Sequence, residues 1–298
     1  MIRKKLFVIG IFFILTSFCT IPSQASGPDT IVTPEKDTIL HPGRLTAVLS
    51  TEGALYFGSL GGLYFAWYKN YPQSSFHLFN DNNEWMYMDK MGHATTAYYI
   101  SMIGYNSYRW CGLSSNKATV YGGLLSMAYL LNIEILDGFS SQWGFSLGDF
   151  SANTAGCLLF IGQQLGWKEQ RFVLKYSFHQ TKYAPYRPDL LGDNLIQNML
   201  KDYNGYTAWL SGNIASFLPK TAKFPKWINI AFGYGAEGML GASYNPDSLN
   251  HQPLPHYDRY HQFYLSMDVD LTRIPHPLKD TESLVYNIQF PQDPLSCR

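Results

Sequence analysis

The chain predicts an α+β fold, with a helical bundle in the first half followed by a small, mainly antiparallel β region. Two observations carry this. Long apolar stretches with almost no charge occupy much of residues 45–167 and are separated by polar turns, whereas from residue 171 onward apolar and polar residues alternate with a period of two. Stretches of the first kind exceed ordinary strands in length, and strict alternation marks a strand with one buried face.

Taken in order, the chain opens as a secretory signal over residues 1–25. Arg3, Lys4 and Lys5 precede the apolar run Leu6 to Leu15, and Ser23-Gln24-Ala25 offers small residues where a signal peptidase reads, so cleavage is expected after Ala25. Lipidation at Cys19 is the alternative, although Phe18 is bulky for the usual small-residue site. Removing the signal leaves Cys111, Cys157 and Cys297, an odd set without C-x-x-C spacing, which argues against a disulfide scaffold. Residues 26–43 hold Pro28, Pro34 and Pro42 and read as an extended lead-in.

The helical region spans residues 44–168. Leu45 to Tyr68 carries Glu52 as its one acidic residue, and as a helix would reach about 36 Å. Met91 to Tyr108, Ala118 to Ile133 and Phe150 to Trp167 complete four helices that pack together. Small residues recur inside them, and Ala152-x-x-x-Gly156 is a pair suited to close helix contact. Two settings fit these helices: a water-soluble or peripheral bundle whose apolar faces meet each other, and embedding in a membrane.

Residues 169–298 form the β-rich region. Phe172, Leu174, Tyr176 and Phe178 alternate with polar neighbours, as do Ile228 to Tyr234 and Phe263 to Leu271; Tyr206 to Ser211 adds a short strand and Leu191 to Lys201 a helix. His251, His256 and His261, at five-residue intervals, read as a Pro-containing surface loop.

Charge and composition restrict the partners. Lys and Arg together number 22 and balance 22 acidic residues, so the chain lacks the net positive charge that would point to nucleic acid as a partner. Aromatic residues make up 16% of the chain and charged ones only 15%, a balance that favours membrane association. The cell envelope, periplasmic or at the outer membrane, is therefore the expected location.

Function is sought in the polar residues threaded through the apolar helices. They are Asp89-Lys90-x-x-His93, Glu134-x-x-Asp137-Gly138 and Phe145-Ser146-x-x-Asp149-x-x-Ala152-Asn153-x-x-Gly156. Burying such groups is expensive unless each is paired, protonated or engaged with a ligand. Asp89 and His93 share a helix face, and Asp89 also suits a helix first turn. Glu134 and Asp137 lie toward a helix end whose dipole disfavours them, so a partner from another segment is expected. Ser146 and Asp149 form a capping-box-like start, and Asn153, inside an uncharged helix, needs partners if buried. The fold is expected to bring Glu134 and Asn153 near His93. His93 with Glu134, Asp137 or Asp149 offers mixed nitrogen and oxygen ligands suited to zinc or manganese, without a complete metal motif. Gly144-Phe145-Ser146-Leu147-Gly148 matches G-x-S-x-G, but the polar loop before it is the wrong context for a nucleophile elbow.

These elements, over about residues 86–160, resemble the YfiM-like family of predicted envelope proteins of unknown function. They are similar, more distantly, to the VanZ-like membrane proteins. Asp202-Tyr203-Asn204-Gly205 and Ser266-Met267-Asp268-Val269-Asp270 resemble the C-terminal extensions of longer Bacteroidetes-type members. The resemblance carries over Asp89, Lys90, His93, Glu134, Asp137, Ser146, Asp149 and Asn153 as a motif and assigns no catalytic role; the same eight are the candidate ligand-binding residues. Two function classes follow. One is a non-enzymatic envelope protein whose polar centre fixes the bundle or binds a lipid headgroup or glycan. The other is an envelope lipid or glycan hydrolase or transferase in which His93 is the acid/base and Glu134 or Asp149 orients it or binds metal. The sequence names no cofactor and no oligomeric state.

Overall fold

The computed structural model describes residues 39–66, 68–70 and 72–274. The expected signal, its cleavage site, Cys19, Cys297 and the lead-in up to residue 38 lie outside them. Four long helices follow in order: α1 (Pro42–Ala66), α2 (Met88–Trp110), α3 (Ser115–Gly138) and α4 (Leu147–Gly166). Helix α1 takes over the last two residues read as lead-in, because proline suits the first helical position, where its missing N–H has no partner to lose.

Helix α2 packs along both α3 and α4, which also meet each other. Glycines set these crossings. A Cβ on Gly104 would lie 2.8 Å from the Gly122 Cα, and one on Gly156 would lie 2.0 Å from the Ala94 carbonyl oxygen. The backbones therefore touch, as the small-residue pattern predicts. Helix α3 is long and apolar enough to cross a membrane by length and composition, and 39% of its apolar window is buried within the fold.

The second half is an antiparallel meander. Strand β1 (Phe172–Phe178) is followed by the short helices α5 (Pro188–Leu191) and α6 (Leu195–Lys201), then by β2 (Tyr206–Asn213) and β3 (Ile228–Glu237). A two-residue hairpin, β4 (Ser248–Leu249) and β5 (Gln252–Pro253), precedes β6 (Tyr260–Val269), and the main sheet runs β1-β2-β3-β6. The α+β expectation is met. The single helix expected from Leu191 to Lys201 is instead two, because the chain turns at Gly192 with φ 97° and restarts with Asn194 as cap. His261 also departs from expectation: it pairs with Ala236 inside the sheet and is not part of a loop with His251 and His256.

The two halves are stitched along the outer edge of β1. The Tyr99 hydroxyl donates to the Leu174 carbonyl at 2.7 Å, while Gln163 donates to the Phe172 carbonyl at 2.9 Å and accepts from the Phe172 and Arg171 amides at 2.7 and 2.9 Å. Side chains of α2 and α4 thus satisfy backbone groups that an open edge would leave exposed. Between the halves lies a core of Trp85, Met88, Leu191, Tyr203, Met239 and Leu240.

Two predictions follow from this packing. Gly156→Val should destabilise the protein by about 1–3 kcal/mol or more, since a backbone carbonyl blocks the new side chain, whereas Gly162→Ala, with open space around it, should be neutral or stabilising by up to about 1 kcal/mol. Chemical denaturation of the two variants checks this; equal midpoints would remove the proposed backbone contact.

The second concerns Glu237, which accepts hydrogen bonds from Tyr260 at 2.6 Å and Tyr183 at 3.3 Å and faces His179 at 3.7 Å. The pairing with His179, the largest influence, holds the Glu237 carboxyl down to about 2 and pushes the His179 imidazole up. Glu237's contribution is complete above its unfolded pKa of about 4.3 and is lost as pH falls through its lowered folded value. His179's is complete below about 6.5 and is lost as pH rises through its raised folded value. The pair should therefore stabilise most between those two unfolded values. In calorimetry across pH, His179→Ala should lower the thermal midpoint within that window and leave it closer to wild type well above it.

Candidate functional site

The polar centre is built at the start of α2. Trp85, Met86 and Tyr87 adopt φ of 51°, 49° and 65°, a run of left-handed conformations that side chains rarely take and that the surroundings must hold. Trp85 is buried against Tyr203 and its amide donates to the Ala242 carbonyl at 2.8 Å, while the Tyr234 hydroxyl donates to the Met86 carbonyl at 2.5 Å. This kinked entry delivers Asp89 and Lys90 into the interior in the first turn of α2, with His93 one turn later.

Lys90 is the hub. Its Nζ lies 2.5 Å from Asp149 Oδ1, 2.7 Å from Asp81 Oδ1 and 3.1 Å from Asp89 Oδ2. Lys90 is 6% exposed and each of the three carboxylates 2% or less. Ser146 caps α4 as its sequence predicts: Oγ accepts from the Asp149 amide at 3.0 Å and donates to Asp81 Oδ1 at 2.6 Å. The hydroxyl is thereby committed to capping, and no strand leads into it, so the G-x-S-x-G match carries no nucleophile. Tyr203, from the β-rich half, donates to Asp89 Oδ1 at 3.0 Å; burial, then the charge of Asp89, push its hydroxyl well above the usual range, so it stays a donor.

His93 occupies the looser flank. Its Nδ1 lies 3.1 Å from Asn153 Oδ1 and 3.7 Å from Glu134 Oε1, and its Nε2 lies 3.7 Å from Asp149 and 4.0 Å from Asp89. Asn153 Oδ1 can only accept, so this contact calls for a proton on His93 Nδ1. The Asn153 Nδ2 atom is buried and has no hydrogen-bond partner.

Seven of the eight residues singled out in the sequence therefore converge: Asp89, Lys90, His93, Glu134, Ser146, Asp149 and Asn153. Asp137 stands beside them in its own contact, accepting from the Tyr68 hydroxyl at 2.5 Å and the Trp143 indole at 3.0 Å. Burial, then Glu134, push the Tyr68 hydroxyl up, which places it between the two acids of α3. Sequence reasoning missed Asp81, Tyr68, Trp143 and the role of Tyr203. Asp81 sits in Asn80-Asp81-Asn82-Asn83, where a turn explains every residue and hides the one that is buried.

Among the described residues, the group close enough to hold a metal is Asp89, His93 and Asp149, whose ligand atoms lie within 4.8 Å of one another. His93 with Asp149 was one of the combinations expected from the sequence; Asp89 joins them, and Glu134 and Asp137 fall outside the group. Lys90 already bonds both carboxylates, so an added cation would meet an ammonium at the same oxygens.

Residues 77–161, a little over a quarter of the chain, match a family described as predicted periplasmic lipoprotein (DUF2279). No curated protein and no solved structure matches the chain. The matched segment contains Asp81 through Asn153, all of the polar centre except Tyr203 and Tyr68 from the flanking regions. The match supports an envelope protein of unknown function, periplasmic or membrane-associated, and does not extend to the VanZ-like proteins.

Lys90→Met should destabilise strongly, by about 3–5 kcal/mol, because it leaves three carboxylates without the shared cation. Lys90→Met combined with Asp81→Asn and Asp149→Asn should recover part of the loss. Denaturant midpoints for both variants are the measurement, and a single variant as stable as wild type would deny Lys90 its role.

Proposed function

We propose that this is a non-enzymatic envelope protein whose Lys90 cluster fixes the bundle and whose His93 flank binds a hydroxyl-bearing group of an envelope lipid headgroup or glycan. The observation that carries this reading is Asn153 Nδ2, a buried donor without a partner, whose desolvation costs about 1–3 kcal/mol unless a ligand accepts from it. Beside it stand the carboxylates of Glu134, Asp89 and Asp149, which are acceptors. A hydroxyl both accepts and donates, so it suits an amide donor next to carboxylates; a phosphate, an acceptor repelled by the acids, does not. His93, at 9% the most exposed of these groups, marks the side of approach.

The test is made on the mature protein with N-acetylglucosamine and glycerophosphoglycerol as probes, following the Asn153 side-chain amide by nuclear magnetic resonance. Binding should move that signal, and Glu134→Gln should abolish the movement while leaving the fold intact. If neither probe moves it, and Glu134→Gln and His93→Gln retain folding, localisation and the cellular phenotype of wild type, the reading is overturned.

One observation favours a second reading. An imidazole with carboxylates about 3.7 Å from each ring nitrogen is placed for proton transfer, as a hydrolase or transferase acting on the same lipid or glycan would need. Product formation from envelope extract, abolished by His93→Gln in a folded protein, would establish it in place of the first.

A further inference from the structure

The β-rich half has its polarity reversed. Lys175, Ser211, Asn213, Asn229 and Asp268 are buried on one side of the main sheet, joined by Lys175 Nζ to Asp268 Oδ2 at 2.5 Å, Ser211 Oγ to the same oxygen at 2.5 Å and Asn213 to Asn229 at 2.7 Å. Lys175 belongs to β1 and Asp268 to β6, the two outer strands of four, so the sheet is curled until its edges approach across a polar interior. The opposite side presents Leu210, Ile230, Phe232, Phe263, Leu265 and Met267, from 39% exposed at Leu210 to 72% at Met267. Register confirms one continuous face: Leu210 pairs with Phe232 and Phe232 with Leu265, while Ile230 pairs with Met267. Polar residues inside and apolar residues outside is the alternation of strands that meet lipid.

The rim of this face supplies charge. The connection between β2 and β3 carries exposed Lys220, Lys223 and Lys226 next to exposed Phe217 and Trp227, and no acidic residue occurs from Tyr203 to Ala236. At the same end, Arg171, ion-paired with Glu169 at 2.8 Å, lies 4.7 Å over the Trp167 ring and 5.2 Å over that of Phe217. Basic and aromatic side chains bordering an apolar surface match an anionic bilayer interface, with rings at headgroup level and lysines among phosphates.

We propose that the outer face of the β2-β3-β6 sheet is a membrane-docking surface for anionic phospholipid, its apolar side chains entering the acyl region and Lys220, Lys223 and Lys226 meeting the headgroups. From Phe263 to Met267 the strand rises about 14 Å, short of the ~25 Å apolar band of a spanning barrel, so the face enters one leaflet. The proposal requires nothing of the His93 flank.

The experiment is flotation of the mature chain beginning at Ser26, which lacks Cys19 and so any acyl anchor there, with phosphatidylcholine vesicles containing or lacking phosphatidylglycerol. Wild type should float with the anionic vesicles. The triple variant Phe232→Ser, Leu265→Ser, Met267→Ser should lose at least about tenfold in binding, and Lys220→Glu, Lys223→Glu, Lys226→Glu should reduce binding to the level on neutral vesicles. Circular dichroism should show both folded, the substituted positions being exposed. Flotation unchanged in the serine variant, or no flotation of wild type, overturns the proposal. So does sedimentation showing a wild-type dimer that the serine variant converts to monomer without loss of flotation, since the face would then belong to a second copy.

Discussion

The Lys90 ammonium, closed in by Asp81, Asp89 and Asp149, is the constraint on which the rest depends. Three segments supply these acids: the turn before α2, α2 itself and, 59 residues beyond Lys90, the first turn of α4. Each carboxylate alone would be costly in so dry a place, and one cation bonded to all three makes their common burial tolerable. The geometry is correspondingly strict. A lysine displaced by one helical position would point away from the acids, so the entry to α2 must be held in one conformation. The left-handed run at Trp85, Met86 and Tyr87 is part of that requirement, and it is secured by residues of the other half, Tyr203, Tyr234 and Ala242.

The two halves are thus mutually dependent. Tyr203 donates into the acid cluster, α2 and α4 complete the edge of β1, and the aromatic core between them belongs to both. The same organisation appears twice, with Lys175 bonded to Asp268 inside the curled sheet much as Lys90 is bonded inside the bundle. In both halves hydrogen-bonded charges lie within and large apolar side chains lie at the periphery. Phe57, Phe65, Leu124 and Leu158 are exposed on the helices as Met267 and Leu265 are on the strands. This distribution accords with an envelope protein and its membrane association.

Much of this was legible in the sequence because the relevant signals are local. Helix length, the positions of the strands and the Ser146 cap depend on neighbours in the chain and appear where the pattern places them, but the strands bury the polar side of their alternation, at Lys175, Ser211, Asn229 and Asp268, and leave the apolar side exposed. The convergence of His93, Glu134 and Asn153 was inferable from cost: groups expensive to bury alone must find one another. Asp81 escaped because an acid in an Asn-rich turn has a sufficient local explanation, and Tyr68 and Trp143 because aromatic residues in an aromatic-rich chain carry no distinguishing mark. The split of the expected helix at Gly192 escaped for another reason. Gly192 takes φ 97° with the following helix so close that a Cβ there would lie 2.6 Å from the Gln197 carbonyl carbon, a constraint that periodicity does not encode.

Distances within the polar centre separate what is fixed from what can adjust. Around Lys90 every contact falls between 2.5 and 3.1 Å, leaving no room for rearrangement without breaking a charged hydrogen bond. Around His93 three carboxylates stand at 3.7 to 4.0 Å, and Asn153 keeps a donor without an acceptor. An entirely structural network would be expected to close such gaps, since a half-satisfied buried network is less stable than an apolar core. The tight side accounts for the fold; the loose side is where an incoming group would complete what the protein leaves unfinished. On the reading proposed above, a ligand binding there would gain from Asn153 and the acids without disturbing Lys90, and recognition and stability would then rest on adjacent but separable contacts.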